Sequence, residues 1–202
     1  MVRDMLRKET GMGHELFKWE IGPSEFRMLP HQGARLMSWD LKLSGNQKRS
    51  VIYWPEDADM HNIPKIRGGN PILFPFSART FHKGAIKSWK SPDGEVRKMP
   101  MHGFARTNKF KVISEDESSI SLALNSDSEN KIYYPFDFQF LVTYRFEMLA
   151  MEVELSLSNF GESILPWSAG HHFYFSLPWH EGLLRENYRI LLPGCKLSLI
   201  HI

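Results

Sequence analysis

A chain of 202 residues has the length of one domain, and its 42% hydrophobic and 13% aromatic residues can fill a core, which argues against disorder. Its formal net charge is +2, from 25 basic and 23 acidic residues spread along the sequence, without the basic block of a nucleic-acid-binding protein. The early residues carry charges, and no apolar run is long enough for a membrane span. We therefore expect a cytoplasmic protein with neither nucleic acid nor membrane as partner.

The first half of the chain contains two short runs that alternate in the manner of β-strands. Residues 25–29 and 34–41 predict two strands, joined through Pro30 and Gly33. Residues 79–100 are polar and lysine-containing, and their Asp-Gly pair at positions 93 and 94 is a hairpin turn signal. This segment either overhangs a binding cleft or is a plain surface excursion.

Strand periodicity dominates the second half. Apolar residues occupy every second position in 136–146 and again in 151–157, and a shorter strand is predicted at 120–124. Residues 147–150 form the turn between the two long strands, and residues 159–161 end the second one. No segment has the caps and period of a long amphipathic helix. The pattern predicts an all-β protein, an antiparallel sandwich of two packed sheets in one domain.

Three motifs carry the functional signal. They are Ile-Arg-Gly-Gly-Asn-Pro-Ile-Leu-Phe-Pro at 66–75, Met-His-Gly-Phe-Ala-Arg at 101–106 and Gly-His-His-Phe-Tyr-Phe at 170–175. In this order they resemble the active-site half of the aldose 1-epimerase (galactose mutarotase-like) family. The resemblance implies a galactose mutarotase-like antiparallel β-sandwich that interconverts the α and β anomers of a hexose. This reaction opens and recloses the sugar ring by acid-base chemistry and needs no metal and no organic cofactor.

The resemblance assigns roles to the two histidine motifs. His172 matches the family histidine that protonates the ring oxygen, so it is the predicted general acid. His171 is the competitor, because adjacent strand residues point to opposite faces and only one of the two can enter the cleft. His102 matches a second family histidine that holds the substrate, and Gly103 would let the backbone approach the sugar closely. The alternative for His102 is a core or turn histidine whose ring is hydrogen-bonded to a carbonyl.

Four further residues are predicted to contact substrate. Arg67 resembles the family arginine that grips sugar hydroxyls with a bidentate fork, the alternative being a surface arginine beside a turn. Arg106 would hydrogen-bond substrate or a nearby loop, or form a structural ion pair. Tyr174 and Phe74 could stack on the apolar face of a pyranose. Phe76 and Trp167 could take the same role. The alternative for Trp167 and for both phenylalanines is a place in the core, where aromatic residues of a β-protein often lie.

The general base of the family, a glutamate well beyond the second histidine, has no counterpart in this sequence. Glu181 and Glu186 lie too close in sequence to that histidine to match the family base, and they are expected to be exposed loop carboxylates.

Residues 197–202, Leu-Ser-Leu-Ile-His-Ile, are identical to the translation of a transposase end that is used as a sequencing adapter. We therefore expect residues 1–196 to be part of one epimerase domain that continues beyond Lys196, residues 197–202 to be non-native, and the sheets to carry unpaired edges. The single cysteine, Cys195, is not a predicted nucleophile.

Three interpretations of function remain open. The first is an aldose 1-epimerase acting on a free hexose. The second is a hexose-6-phosphate mutarotase, with Arg67, Arg79, Lys83 and Arg106 as the phosphate-binding cluster. The third is a non-catalytic carbohydrate-binding module on the same fold. All three take a small sugar or sugar phosphate as partner, and the identity of the sugar and the oligomeric state stay open.

Overall fold

The structure is a computed structural model that describes residues 5–11 and 13–191. Its elements are strands and short 3₁₀ helices. The strands are β1 Met5–Gly11, β2 His14–Ile21, β3 Ser24–Leu29, β4 Arg35–Lys42, β5 Lys48–Ile52, β6 Ile72–Leu73, β7 Phe81–His82, β8 Ala85–Ile86, β9 Ser88–Lys90, β10 Val96–Lys98, β11 Lys111–Glu115, β12 Ser119–Asn125, β13 Phe138–Phe146, β14 Met151–Asn159 and β15 Gly170–His171. The 3₁₀ helices are Ser44–Asn46, Met60–Lys65, Ala105–Thr107, Asn130–Ile132 and Arg185–Asn187. None of the helices in these ranges has the length and apolar character needed to cross a bilayer.

Two antiparallel meanders form the body of the fold. The first sheet has the order β1-β2-β3-β4-β5 and the second the order β11-β12-β13-β14. The predicted pair of long strands is confirmed, since β13 and β14 pair without interruption from Phe138 opposite Asn159 to Phe146 opposite Met151. The first of them begins two residues later than predicted, because the Phe136 N–H turns back to the Tyr134 carbonyl at 2.8 Å. The period-2 pattern predicts these strands because their alternate residues are buried in β13 and half-buried in β14.

Aromatic side chains pack the two sheets against each other. Phe26 of β3 stacks on Phe146 of β13 with ring centroids 4.6 Å apart, and Trp19 of β2 lies 4.7 Å from the same ring. All three side chains are buried. Burying aromatic area between two sheets is the main stabilising term of such a sandwich. The predicted all-β sandwich is thus the fold observed.

The segment at 79–100 forms two small hairpins, β7-β8 and β9-β10. The predicted Asp-Gly turn joins β9 to β10, where the Gly94 N–H donates to the Ser91 carbonyl at 2.9 Å. Trp89 anchors the segment in the core, because its ring is buried and its Nε1 donates to the Tyr133 carbonyl at 3.0 Å. The segment is therefore more than a surface excursion, although its tips at 83–87 and 92–95 are exposed.

The second sheet ends in an edge strand. Within the described residues β14 pairs only with β13, so its outer edge carries free backbone groups, as the sequence analysis expects. Several large apolar side chains that follow β14 are exposed, namely Phe160, Ile164, Trp167, Phe175, Leu184, Ile190 and Leu191. Cys195, the boundary at Lys196 and the 197–202 tail lie outside the described residues.

Candidate active site

Strand β6 brings the three sequence motifs together. On one side it pairs with β15, which places Gly170 opposite Leu73. On the other side Phe74 and Gly103 form a parallel bridge. The chain after β15 then continues along the first motif, where the Tyr174 N–H donates to the Gly69 carbonyl at 3.0 Å. Motifs separated by up to about a hundred positions in sequence thus become neighbours through sheet pairing.

Two histidine rings face each other at this junction. The centroids of the His102 and His172 rings are 5.5 Å apart, in an edge-to-face arrangement. The His172 side chain is exposed, and its ring also lies 5.0 Å from that of Tyr174. Because the pair is open to solvent on one side, both rings can donate protons to, or accept protons from, one bound molecule.

The backbone around His102 holds its ring in one orientation. The His102 N–H donates to the Ala78 carbonyl at 2.7 Å, and the Ala78 N–H donates to His102 Nδ1 at 3.0 Å. Because Nδ1 accepts this bond, the proton of the neutral ring is on Nε2, which faces away from Ala78. His102 also has a φ of 68°, a conformation that non-glycine residues rarely adopt outside functional sites.

The electrostatics of the site favour a neutral His102. Burial lowers the pKa of His102, and the charges of His172 and Arg106 lower it further. Neutral His102 can present its Nε2–H as a hydrogen-bond donor at neutral pH.

The adjacent histidines point in opposite directions. His171 is half-buried, its ring stacks on Phe173 with centroids 5.3 Å apart, and burial lowers its pKa. His172 points the other way, towards His102. Of the two candidates, His172 is therefore the one whose ring lies beside His102, and its role as general acid stays a prediction.

Comparison with known proteins identifies the family of this chain. The family described as Aldose 1-epimerase matches residues 28–192. The chain belongs to the aldose 1-epimerase family. A protein of Escherichia coli K12 with the provisional name glucose-6-phosphate 1-epimerase is 28% identical over 150 residues, which are 72% of this chain and 43% of that protein.

Solved structures of galactose mutarotase-like proteins share the fold. The galactose mutarotase-like protein of Clostridium acetobutylicum superposes with a TM-score of 0.73 and 21% identity over 89% of this chain and 56% of its own. The galactose mutarotase related enzyme of Lactobacillus acidophilus gives 0.67 and 22%, over 91% and 53%. The chain spans about half the length of the relatives that it matches.

The predicted substrate-binding residues of this chain have different surroundings. Arg67 is exposed, and no residue in the described part of the chain hydrogen-bonds its side chain. Arg106 donates from Nη1 to the Pro64 carbonyl at 3.3 Å and pairs with no described carboxylate, which favours the loop contact over the structural ion pair. Its charge nevertheless acts on His102. Tyr174 lies beside His172. The binding roles of these three residues remain predictions.

The prediction that Phe74 stacks on a sugar was wrong. Phe74 has no exposed surface, and its ring stacks on Phe140 in the core with centroids 4.1 Å apart. Its position in the first motif did not reveal this core location, since a strand residue there can face either side of the sheet.

The predicted role of Gly103 also needs correction, because it is buried and a Cβ added to it would meet the Phe74 carbonyl oxygen at 2.0 Å. Gly103 makes room for this backbone rather than for a sugar.

Carboxylates do not contribute to the histidine pair in the described residues. Neither the His102 nor the His172 ring is hydrogen-bonded to an aspartate or glutamate there. Glu181 and Glu186 are exposed outside the strands, as predicted. Residues 5–11 and 13–191 contain no group of three or more histidine, cysteine, aspartate or glutamate side chains that could hold a metal ion.

Arg35 supports the first motif in a way that the sequence did not reveal. Arg35 is 1% exposed, and its guanidinium donates to the carbonyls of Ile63 at 2.7 Å, Ile66 at 2.6 Å and Gly68 at 2.6 Å. Burial lowers its pKa to about 10, so it stays charged at neutral pH. Three carbonyls on one fork fix the backbone on both sides of Arg67. An arginine at the start of a strand gives no sequence signal for such a role.

We expect Arg35→Lys to destabilise the protein by about 1–3 kcal/mol, because an ammonium group cannot reach all three carbonyls and leaves buried acceptors unpaired. Urea denaturation measures the free energy of unfolding. The control is Arg7→Lys, since Arg7 is exposed on β1 and should change that free energy by less than about 0.5 kcal/mol. Equal effects of the two substitutions would contradict the bridging role of Arg35.

Proposed function

We propose that the complete protein is an aldose 1-epimerase that interconverts the α and β anomers of a hexose. The observation that carries the proposal is the His102–His172 pair with ring centroids 5.5 Å apart in a family member. His172 donates a proton to the ring oxygen as the C1–O5 bond breaks, and a base takes the proton of the C1 hydroxyl. Rotation about C1–C2 and closure from the other face then give the second anomer.

In this proposal His102 has a supporting role. Its neutral ring keeps Nε2–H as a donor that orients the sugar and stabilises charge that develops at the ring oxygen. Its lowered pKa suits this role, because a second charged imidazolium next to His172 would repel the proton that His172 must carry. The general base is assigned to no residue of this chain.

A hexose-6-phosphate mutarotase is the second candidate. It is supported by the name of the Escherichia coli relative and by three exposed cations of this chain, Arg67, Arg79 and Lys83. A sugar phosphate would pair with such side chains through charge-assisted hydrogen bonds. A carbohydrate-binding module without catalysis is the third candidate.

Polarimetry with the product of the complete source reading frame tests these proposals. We expect freshly dissolved α-D-glucose or its 6-phosphate to reach anomeric equilibrium faster with the protein than without it. A higher kcat/KM for the phosphate, lost in Arg67→Gln, would favour the second candidate. Binding of either sugar without acceleration would overturn both enzymatic proposals and favour the module. Reading the source locus past codon 196 defines the frame that is expressed.

A further inference from the structure

Asn70 joins two motifs that lie about a hundred residues apart. Its side chain has no exposed surface. Its Oδ1 accepts a hydrogen bond from the His172 N–H at 3.1 Å, and its Nδ2 donates to His171 Nδ1 at 3.2 Å. One buried amide therefore contacts both histidines of the third motif, although they point in opposite directions.

The orientation of this amide is determined by its neighbours. Because burial lowers the pKa of His171, its ring is neutral at neutral pH, and its Nδ1 can accept a hydrogen bond. The Tyr144 hydroxyl donates to the Ala34 carbonyl at 3.0 Å, so its oxygen is also an acceptor, 3.4 Å from Nδ2. Two acceptors on this side require the NH₂ group there, which leaves Oδ1 for the His172 N–H.

The backbone of Asn70 is held as firmly as its side chain. Its N–H donates to the carbonyl of Leu36 at 2.8 Å, and the two residues form a bridge to β4. Leu36 is itself fully buried. The side-chain amide of Asn70 therefore has a fixed position relative to the first sheet. The hydrogen bond from the His172 N–H to Oδ1 fixes the main chain of His172 relative to that amide.

We propose that Asn70 is a positioning residue that sets the main chain of His172 and thereby the approach of its ring to His102. The inference rests on the proposed function and deepens it. The His172 ring is exposed and forms no side-chain hydrogen bond within the described residues, so its placement depends on its main chain and on Tyr174. A proton donor displaced by about 1 Å can lose a hundredfold in rate.

Two substitutions separate the acceptor from the rest of the side chain. Asn70→Leu keeps the approximate volume and removes both polar atoms, and Asn70→Asp keeps an oxygen that accepts from the His172 N–H. We expect Asn70→Leu to lower kcat for anomer exchange about 10- to 100-fold with KM nearly unchanged, and Asn70→Asp to retain most of kcat. Equal losses in the two variants, or a loss confined to KM, would overturn the proposal.

Asn130→Leu is the matched control. Asn130 is also buried, at 2% exposure, and its side chain bonds the backbone of Asp127 and Asn125 rather than the histidine motifs. We expect it to lower stability and leave kcat of the folded fraction unchanged. A loss of kcat as large as that of Asn70→Leu would show a general structural effect and overturn the proposal.

Amide hydrogen exchange gives a readout that does not depend on activity. The His172 amide should be protected in the unsubstituted protein, and its exchange should accelerate at least about tenfold in Asn70→Leu but not in Asn130→Leu. An unprotected His172 amide in the unsubstituted protein would overturn the proposal even if no Asn70 variant folds.

The same measurements distinguish failure of the positioning role from failure of the proposed function. Suppose that the unsubstituted protein exchanges anomers, that His172→Asn abolishes the exchange, and that Asn70→Leu has no effect. In that case only the positioning role of Asn70 fails. If the unsubstituted protein is inactive, the proposed function fails.

Discussion

Replacement of His172 by asparagine is expected to lower kcat for anomer exchange by about a hundred- to ten-thousandfold, with sugar affinity nearly unchanged. Asparagine keeps a polar side chain of similar reach but cannot deliver a proton to the ring oxygen. Because the His172 ring is exposed beside His102, its removal leaves the core intact and the protein should stay folded. Exchange spectroscopy of the two anomers measures the rate, and titration calorimetry measures sugar binding.

His61→Asn is the control for this experiment. His61 is exposed, and its backbone N–H donates to the side chain of Asp59. The substitution should leave both the exchange rate and the sugar affinity unchanged. Retention of full activity in His172→Asn would remove the assigned general acid, whereas loss of sugar binding together with rate would make His172 a binding residue.

Substitution of Gly103 by alanine is expected to cost about 4 kcal/mol or more in the free energy of unfolding, at the upper end of single-residue effects. Its φ is 71°, and the added Cβ would lie 2.0 Å from the Phe74 oxygen and 2.3 Å from its carbon. This carbonyl cannot move away easily, since it accepts from the N–H groups of Phe104 at 2.9 Å and Ala105 at 3.2 Å. Thermal and urea denaturation measure the loss.

Gly84→Ala separates the steric part of this cost from the conformational part. Gly84 has a similar φ of 83°, but an added Cβ meets nothing within 4 Å. It should cost only about 1–2 kcal/mol, the penalty of a left-handed conformation for alanine. Equal losses at the two positions would show that backbone conformation, and not contact with Phe74, makes glycine necessary at position 103.

The two long strands of the second sheet were predicted from sequence, whereas β2 was not, although Phe17, Trp19 and Ile21 alternate there with polar residues. Residues 136–146 alternate between buried and more exposed positions, and residues 151–157 between half-buried and exposed ones, so local periodicity was enough to identify β13 and β14. The same reasoning did not identify β1, which is exposed along most of its length, because an edge strand without a buried face lacks a clear alternating signal. Pairing partners and sheet order depend on contacts between distant residues, and local pattern carries little information about them.

For the candidate site, the sequence by itself supplied the candidate residues. His102, His172 and Arg67 stand in motifs that could be read in one pass along the chain, and adjacency of His171 and His172 already meant that only one could enter a cleft.

Only the tertiary structure placed the ring of His172, and not that of His171, beside His102, put Phe74 in the core, and revealed Arg35 and Asn70 as the groups that hold the motifs. The physical reason is that a buried polar group must find its partners wherever the fold supplies them. Arg35 uses carbonyls about thirty positions away and Asn70 uses histidines about a hundred positions away. Such partners are set by sheet pairing through β6, which residue type and spacing do not specify.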